Sequence, residues 1–580
     1  MTLPDSQGKG RQAEASARRS EVIYQIYPAS FCDSNGDGHG DLQGIISKLD
    51  HLAYLGVDAL WLSPVYPSPE GPEGDGGYAV TNRRDIDPRY GCLDDMKQLI
   101  AQAHKRGLKV YMDDVTPHTS DDHEWFQASR ERRAPFDDFY VWHDGVADHD
   151  GNRQPPNNWL SVFGGGAWEW DDTRRQYYFH HFLTSQPALN LNSEKVQDAV
   201  LDDMKFWLDM GVDGFRLDSI CYAHYDPHFR DNDGGGAWDQ QYFSRSHCQP
   251  QTVDFVSRIR QLTDSYSPPR TTLGEVICGR DGGRNPMEVA ADYVDPESGL
   301  TMCYTDVFRA ISHQAGPSYM KDAINGIIRH FPHGQHCNAI GNHDSPRIAS
   351  REIDHIPELA RRTALKQLLK ILTVLPGSLS IYQGEELGLP DARVPDDIPH
   401  DKVRDPVAAT KGYEHCRDGA RTPVPWDSAR KNAGFSNSDT PYLPVPDDHY
   451  HRAVNKQMQD PGSMLHFMKH LITWRKSQPA LQNGAARVLE TLPPLVAIVR
   501  ECDSQTMLCV FNVSDAPVFF KPSDLLDDKT LAATGIAEDE VIRCEPYGAE
   551  IRGAETAQPA CGKTAQPCRR RASVSGMRAG

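Results

Sequence analysis

Short apolar runs rich in β-branched residues alternate along most of the chain with segments whose apolar positions recur every three to four residues. This alternation predicts βα units feeding a parallel sheet. The run VIYQIYP (Val22 to Pro28) leads to a segment in which Leu42, Ile45, Ile46, Leu49, Leu52 and Ala53 share one helical face, with Gly56 placed to close its C-terminus. VDALWLSP (Val57 to Pro64), LKVYMDDV (Leu108 to Val115), GVDGFRLDSI (Gly211 to Ile220), TLGEV (Thr272 to Val276), a weaker MCYTDVF, CNAIGNHD (Cys337 to Asp344) and SLSIYQGEEL (Ser378 to Leu387) continue the strand series. Helical stripes separate them. One, SEKVQDAVLDDMKFWLDMG, takes Ser193 as N-cap and sets Val196, Val200, Met204, Trp207 and Leu208 on one side. Eight βα units fit, so an α/β fold is predicted, a closed TIM (β/α)8 barrel.

Two regions break the rhythm. Residues 114–192 are rich in Gly, Pro and Trp and predict a subdomain inserted after the third strand. After MLHFMKHLITWRKSQPAL the pattern turns to alternating strands such as LVAIVREC and TMLCVFNVSD without intervening helices, which predicts a C-terminal antiparallel β domain. The expected division is a barrel over 21–113 and 193–482, an insert over 114–192, a β domain over 483–552, and disordered ends over 1–20 and 553–580.

Composition narrows the class. A formal net charge of −20 over 580 residues argues against a nucleic-acid partner, because phosphate binding needs a basic face. No stretch approaches 18 uninterrupted apolar residues, so no membrane span is expected. The opening MTLPDSQGKGRQAEASARRS has no apolar core to act as a secretory signal, and a cytoplasmic location is expected. Thirteen cysteines, an odd number without a CxxC pair, predict buried thiols rather than disulfides or a zinc site.

In such a barrel, function gathers where the strands end. Asp113, Arg216, Asp218, Glu275, His343 and Asp344 all fall at those ends. Any one of them could be a packing device. Acids on several strands brought together repel, however, and are costly unless a reaction uses them. In FRLDS the two-residue spacing aims Arg216 and Asp218 the same way, where the guanidinium can keep Asp218 ionised. Two nearby carboxyls in opposite protonation states are what glycosidic bond cleavage needs.

The D-x-V-x-x-H of DDVTPH (Asp113 to His118), FRLD, GE and NHD, in this order, resemble the four sequence regions of the α-amylase family, glycoside hydrolase family 13. NNWLSVFGGGAWEW, QYYFHHFLTSQP, FWLDMGVDGFRLD, YQGEELGLP and RDGARTPVPW are similar to its oligo-1,6-glucosidase and α-glucosidase branch. The resemblance implies that Asp218 is the nucleophile, Glu275 the general acid and then base, and Asp344 the residue gripping the 2- and 3-hydroxyls of the sugar. It further implies supporting roles for Arg216, for Asp113, His118 and His343 around the first sugar, for Tyr78 as a stacking platform, for Phe163 at the next subsite, and for Arg417. The activity it implies is a retaining α-glucosidase acting on small α-glucosides. Ser219, after the nucleophile, is closer to the Thr or Ala associated with α-1,4 cleavage than to the Val of α-1,6. Alternatives within the resemblance are a glucosyltransferase, an oligo-1,6-glucosidase, a sucrose-cleaving enzyme and, more remotely, a non-catalytic relative of the transporter heavy-chain type.

Departures accompany the matches. Where the branch reads GYDV, with an aspartate for the 4-hydroxyl of the terminal glucose, this chain reads GGYAV with Ala79, after an inserted EGPEGDGG. Arg417, the usual partner of that aspartate, is retained and needs another, Asp75 of the insert or a ligand oxygen. QPDLN reads QPALN, with Ala188.

The string DSNGDGHGD (Asp33 to Asp41) spaces oxygens at Asp33, Asn35, Asp37 and Asp41 around the carbonyl of His39 in the manner of a calcium loop. A solvated Gly/Asp turn is the alternative. The resemblance favours a structural Ca²⁺, with Mg²⁺ also open, at these five residues. Trp142, Trp159, Trp168 and Trp170 either stack on sugars or core the insert. His180 and His181 are expected to serve as hydrogen-bonding groups, Cys278 as a packed thiol, and Arg569 to Arg571 as part of a solvated tail.

Overall fold

The computed structural model describes residues 20–236, 240–277, 284–308, 314–351 and 356–555. Cys278, Arg569 to Arg571, and most of both expected disordered ends lie outside the described residues.

Eight short strands form the predicted barrel. They are β1 (Val22–Ile26), β2 (Ala59–Leu62), β3 (Lys109–Val115), β4 (Gly214–Asp218), β5 (Thr271–Glu275), β6 (Met302–Tyr304), β7 (Cys337–Ala339) and β8 (Ser378–Tyr382). Their order in the sheet is 6-5-4-3-2-1-8-7, every ladder is parallel, and a single parallel bridge from Cys303 to His336 closes the remaining seam. Connecting helices are α1 (Leu42–Leu55), α2 (Leu93–His104), α3 (Glu194–Met210), α4 (Gln251–Asp264), α5 (Pro286–Asp292), α6 (Gly316–His330) and α7 (Glu358–Val374), and α8 (Met464–Ser477) follows β8.

The apolar stripes read from the sequence pack against this sheet. On α3, Val196, Val200, Met204, Trp207 and Leu208 are all buried, and burying an aliphatic side chain of this size stabilises by roughly 1.5–3 kcal/mol. Gly56 and Gly211 close α1 and α3 in the left-handed conformation, at φ 90° and 112°. Ser193 stands at the N-cap of α3, but its side chain makes no capping hydrogen bond, so the expected cap is positional only. On α1 the cap is made by Asp41, which accepts from Gly44 N.

Inside the barrel, Ile23, Ala59, Trp61, Tyr111, Leu273, Met302, Tyr304 and Cys337 form one apolar cluster. Two residues further along, Gln25 on β1, Asp113 on β3, and Glu275 on β5 share the inward direction, because strand side chains alternate faces. Arg216 and Asp218 on β4 keep the same spacing. A polar layer therefore rests on an apolar plug, at the C-terminal ends of the strands.

The insert contains a helix (Glu124–Arg130) and a three-stranded antiparallel sheet built from Trp142–His143, Trp168–Asp171 and Gln176–Phe179. After α8 come β9 (Ala485–Val488), β10 (Leu495–Cys502), β11 (Gln505–Asn512), β12 (Val518–Phe520), β13 (Ile542–Cys544) and β14 (Ala549–Glu555), with β9, β10, β11 and β14 in one antiparallel sheet. Two expectations change here. A helix at Asp528–Thr534, capped by Asp527, interrupts the strands. Residues 553–555, expected in the tail, pair with Gln505 to Met507.

Candidate active site

The barrel opens at the C-terminal ends of its strands into a cavity of about 820 Å³, within the range of small-molecule sites. Tyr78, His118, Phe163, Asp218, Ser219, Glu275, Asp344 and Arg417 line it. Asp113, Arg216 and His343 do not; they lie directly beneath, buried to within 1%.

Arg216 organises the floor. Its Nη1 donates to Asp113 Oδ1 at 2.7 Å and to Asp218 Oδ1 at 2.6 Å, while Nη2 donates to Glu275 Oε2 and, at 2.7 Å, to Tyr304 Oη. One planar cation thus holds Asp218 on one terminal nitrogen and Glu275 on the other. Three carboxyls share a single positive charge, and their mutual repulsion favours the protonated form of Asp113 and Asp218. Burial pushes the Asp218 carboxyl well up; Arg216 pulls against this, and Glu275 and Asp113 add to it. Burial likewise raises Asp113, to about 6. The expectation that Arg216 keeps Asp218 ionised runs against this direction, because the guanidinium is divided among three acids.

Glu275 also accepts from the backbone N of Ser219 at 2.9 Å and, at 3.3 Å, from its hydroxyl. Ser219 makes that contact from a left-handed backbone, φ 42° and ψ 40°, an uncommon conformation for a non-glycine residue.

A relay fixes the tyrosine. Gln25 Nε2 donates to His343 Nδ1 at 2.8 Å, which leaves the imidazole proton on Nε2, 2.8 Å from Tyr78 Oη; Tyr78 in turn donates to Asp113 Oδ2 at 3.0 Å. The Tyr78 and His343 rings are parallel to within 2° at 5.3 Å. His118 Nε2 reaches Tyr78 O at 3.0 Å. Burial holds His118 and His343 neutral, at about 4 and about 3.

Asp344 accepts from Arg417 Nη1 and Arg421 Nη2, both at 2.8 Å. Burial opposes its ionisation, but the two arginines and nearby His343 hold its carboxyl far below the usual range. Since His343 is itself neutral, the arginines carry that effect. Arg417 reaches further, with Nη2 donating to Asp75 Oδ1 at 2.8 Å and to Asp405 Oδ1 at 2.7 Å, and it lies over the Phe163 ring at 5.2 Å. Asp75, from the inserted string, thus partners Arg417 where Ala79 cannot.

Some of this was not read from the sequence. Tyr304, on the weakly patterned β6, Trp61, whose Nε1 donates to Asp113 at 3.0 Å, and Arg421, four residues after Arg417, all hold site residues in place. Arg421 had a signal in the i, i+4 spacing. None of the four tryptophans lines the cavity: Trp159 and Trp168 are in the buried cluster of the insert with Phe179, and Trp142 stacks on Phe126. His180 Nδ1 bonds Phe182 O at 2.9 Å, and His181 is hydrogen-bonded to the Tyr222 backbone while its ring packs on Phe179 and Tyr222.

In the Asp33 to Asp41 loop, Asp33 accepts from the backbone N of Asn35, Gly36 and Gly38, Asp37 from that of His39, and Asp41 from Ser34 and Gly44. Among the described residues, no three His, Cys, Asp or Glu side chains form a group that could hold a metal ion. The donors are nevertheless all hard oxygens, which fits Ca²⁺ or Mg²⁺ chemistry. No helix among the described residues is long and apolar enough to cross a membrane.

The sequence is 40% identical over 534 residues to a probable α-glucosidase of Rhizobium meliloti (strain 1021), covering 89% of this chain and 92% of that protein. It is 35% identical over 572 residues to an oligo-1,6-glucosidase of Parageobacillus thermoglucosidasius, covering 92% and 98%. The crystal structure of an α-glucosyl transfer enzyme superposes with a TM-score of 0.82 at 37% identity, over 93% of this chain and 99% of that one. A family model for the catalytic domain of α-amylase matches residues 25–484, a span from the end of β1 through α8 that holds every cavity residue named above. With its acids gathered at the strand ends and its relatives matched along almost their whole length, the chain belongs to the α-amylase family of glycoside hydrolases.

Proposed function

We propose that this glycoside hydrolase is a retaining α-glucosidase of small α-glucosides. The observation that carries the reading is Arg216, which holds Asp218 and Glu275 on its two terminal nitrogens at the cavity floor. The mechanism asks for the proton on Glu275, and the Asp218 carboxylate attacks the anomeric carbon. The glycosidic bond breaks toward the leaving oxygen, which takes the Glu275 proton. A water then gives a proton to Glu275 as its oxygen attacks the same carbon and releases Asp218. Asp344, ionised between two arginines, is assigned the hydroxyls beside the reacting carbon, and Tyr78, held from beneath, the face of the ring. Ser219 favours α-1,4-linked, maltose-like substrates. Two displacements return the α configuration, which requires carboxyls about 5–5.5 Å apart.

A second reading, glucosyl transfer, is favoured by the likeness to an α-glucosyl transfer enzyme; an acceptor hydroxyl then replaces water in the second step. Anomer-resolved product analysis on maltose, isomaltose, sucrose, trehalose and an aryl α-glucoside, with and without added alcohol, separates the readings. Free α-glucose as first product is expected, and β-glucose would overturn the retaining mechanism.

Calcium, or magnesium in its place, is proposed at Asp33, Asn35, Asp37, Asp41 and the His39 carbonyl, where it would brace the loop between β1 and α1 without entering the chemistry. The support is the all-oxygen donor set. Stoichiometric metal by elemental analysis and a melting temperature lowered by chelation are expected; unchanged melting with no metal detected would remove the site. A cytoplasmic location is proposed from the free, buried thiols Cys32, Cys337, Cys509 and Cys544, in keeping with a reducing compartment.

A further inference from the structure

On the outer wall of the barrel, two neighbouring helices are basic in a chain whose formal net charge is −20. α7 bears Arg361, Arg362, Lys366 and Lys370 against one acid, Glu358, and α8 bears Lys469, Lys476 and the inward Arg475 against none. Leu359, Arg362, Lys366 and Lys370, three or four residues apart, run down one face of α7. Leu359 is 99% exposed. Lys366 and Lys370 reach over the Phe467 ring of α8, at 5.1 and 6.0 Å from its centre, Lys469 lies over Tyr54 at 3.5 Å, and Arg361 and Arg362 bond the carbonyls of Ile356 and Gly462. Among the described residues, no carboxylate forms an ion pair with any of these five cations. Like charges a turn apart destabilise a helix, and burial together with Arg362 and Lys370 pushes the Lys366 ammonium down against the pull of Asp460. An anionic partner would relieve that cost.

The complement lies on the same chain. Glu538, Asp539 and Glu540 lead into β13 in the C-terminal domain, and among the described residues none of them pairs with a cation. Beside them Val541 and Phe519 are 56% and 63% exposed, and Arg543, which lies over Phe519, is taken by Glu545 at 3.1 Å. Acids flank an apolar centre here, as cations flank Leu359 on α7. Within one chain the patches do not pair, since the acids that act on Lys366 and Lys370 are Asp460 and Glu550. We propose that they pair two copies of this chain, the basic stripe of each seated on the Glu538–Val541 turn of the other. Each copy brings both halves, so the contact forms twice about a two-fold axis and closes at a dimer. A nucleic acid or an anionic membrane would also neutralise the stripe, but would leave the acidic turn and its exposed apolar residues without a role.

The test uses sedimentation velocity at about 0.15 M salt, where short-range charge pairs survive screening and distant ones do not. Wild type is compared with Arg362→Glu/Lys366→Glu and with Glu538→Lys/Asp539→Lys, and circular dichroism checks that each variant is folded. Wild type is expected to be a dimer and each variant a monomer, its dissociation constant raised at least about 100-fold by like charges set face to face. Mixing the two variants should restore the dimer, because a reversed stripe then meets a reversed turn. A monomeric wild type would overturn the proposal, as would an assembly larger than a dimer, a dimer indifferent to either variant, or a mixture that stays monomeric. Binding of duplex DNA or phosphatidylserine vesicles by a monomeric wild type, abolished in Arg362→Glu/Lys366→Glu, would give the stripe to another partner and overturn it likewise.

Discussion

The two ends of the barrel both bury charge, and they do so in opposite ways. At the N-terminal ends of the strands, Arg500 donates to the carbonyls of Val374, Gly484 and Ala485, and Arg475 to those of Thr373, Leu375 and Gly377. Burial among neutral dipoles pushes these guanidiniums down, to about 9 and about 10. At the cavity end, Arg216 and Arg417 meet carboxylates, and despite equal burial their affinity for the proton rises. Carbonyl partners bond a cation through its terminal nitrogens and leave no acids to repel one another. Carboxylate partners leave acids that repel one another and keep free lone pairs facing a cavity, an arrangement costly to folding and useful to a reaction.

The comparison is sharpest at the floor. Asp218→Asn and Glu275→Gln should each lower kcat/KM on an aryl α-glucoside on the order of 10⁴-fold or more, since each removes a group the bond-breaking step uses. Removing one of three crowded acids should also leave the melting temperature unchanged or raised. Wild-type rates in either variant would refute the assignment, and a large loss of stability would mean that these acids hold the barrel together.

The opposite end should respond in reverse. Arg500→Met strips donors from buried carbonyls, each costing about 1–3 kcal/mol when left unpaired. A melting temperature lower by several degrees, with kcat/KM within about twofold of wild type, is expected from calorimetry and assay together. A stable Arg500→Met protein with damaged catalysis would erase the distinction between the two ends.

How much of this contrast was legible in the sequence depends on periodicity. Seven of the eight strands were readable as short apolar runs, most of them ahead of a helical stripe, β6 only weakly, and the FRLD spacing told that Arg216 and Asp218 share a face. The site acids were readable because strand ends mark the mouth. Tyr304 was not: β6 has three residues, too few for a pattern, and a tyrosine gives no sign of which cation it will meet. The division of Arg216 among three acids is likewise a matter of distance across strands, which no local string encodes. Asp75 lay between. Its loop stood out as an insertion, and its pairing with Arg417 was one of two alternatives; only the left-handed turn at Asp75 and Gly76, φ 45° and 66°, decides where the carboxylate goes. The helix at Asp528–Thr534 was missed because seven residues make barely two turns, below the length at which a stripe stands out.

A third kind of buried charge sharpens the comparison at smaller amplitude. Glu385, just beyond β8 at the cavity end, has neither a paired cation nor a place on the cavity wall. Its Oε2 accepts from Tyr382 N at 3.0 Å, and its Oε1 has no hydrogen-bond partner. Burial pushes its carboxyl up from 4.5 to about 7; the Tyr382 amide and Arg347 oppose this without cancelling it. The folded protein thus keeps a proton that the unfolded chain has lost between these two values. The contribution is fully present below pH 4.5 and is lost as pH rises through about 7, a difference of up to about 3 kcal/mol. Glu385→Gln keeps the shape without the titration, so its melting temperature should match wild type near pH 5 and exceed it increasingly toward pH 8. Parallel profiles for the two proteins would mean that Glu385 is already ionised in the fold, held by Arg347 and Arg351 in the manner of the cavity acids.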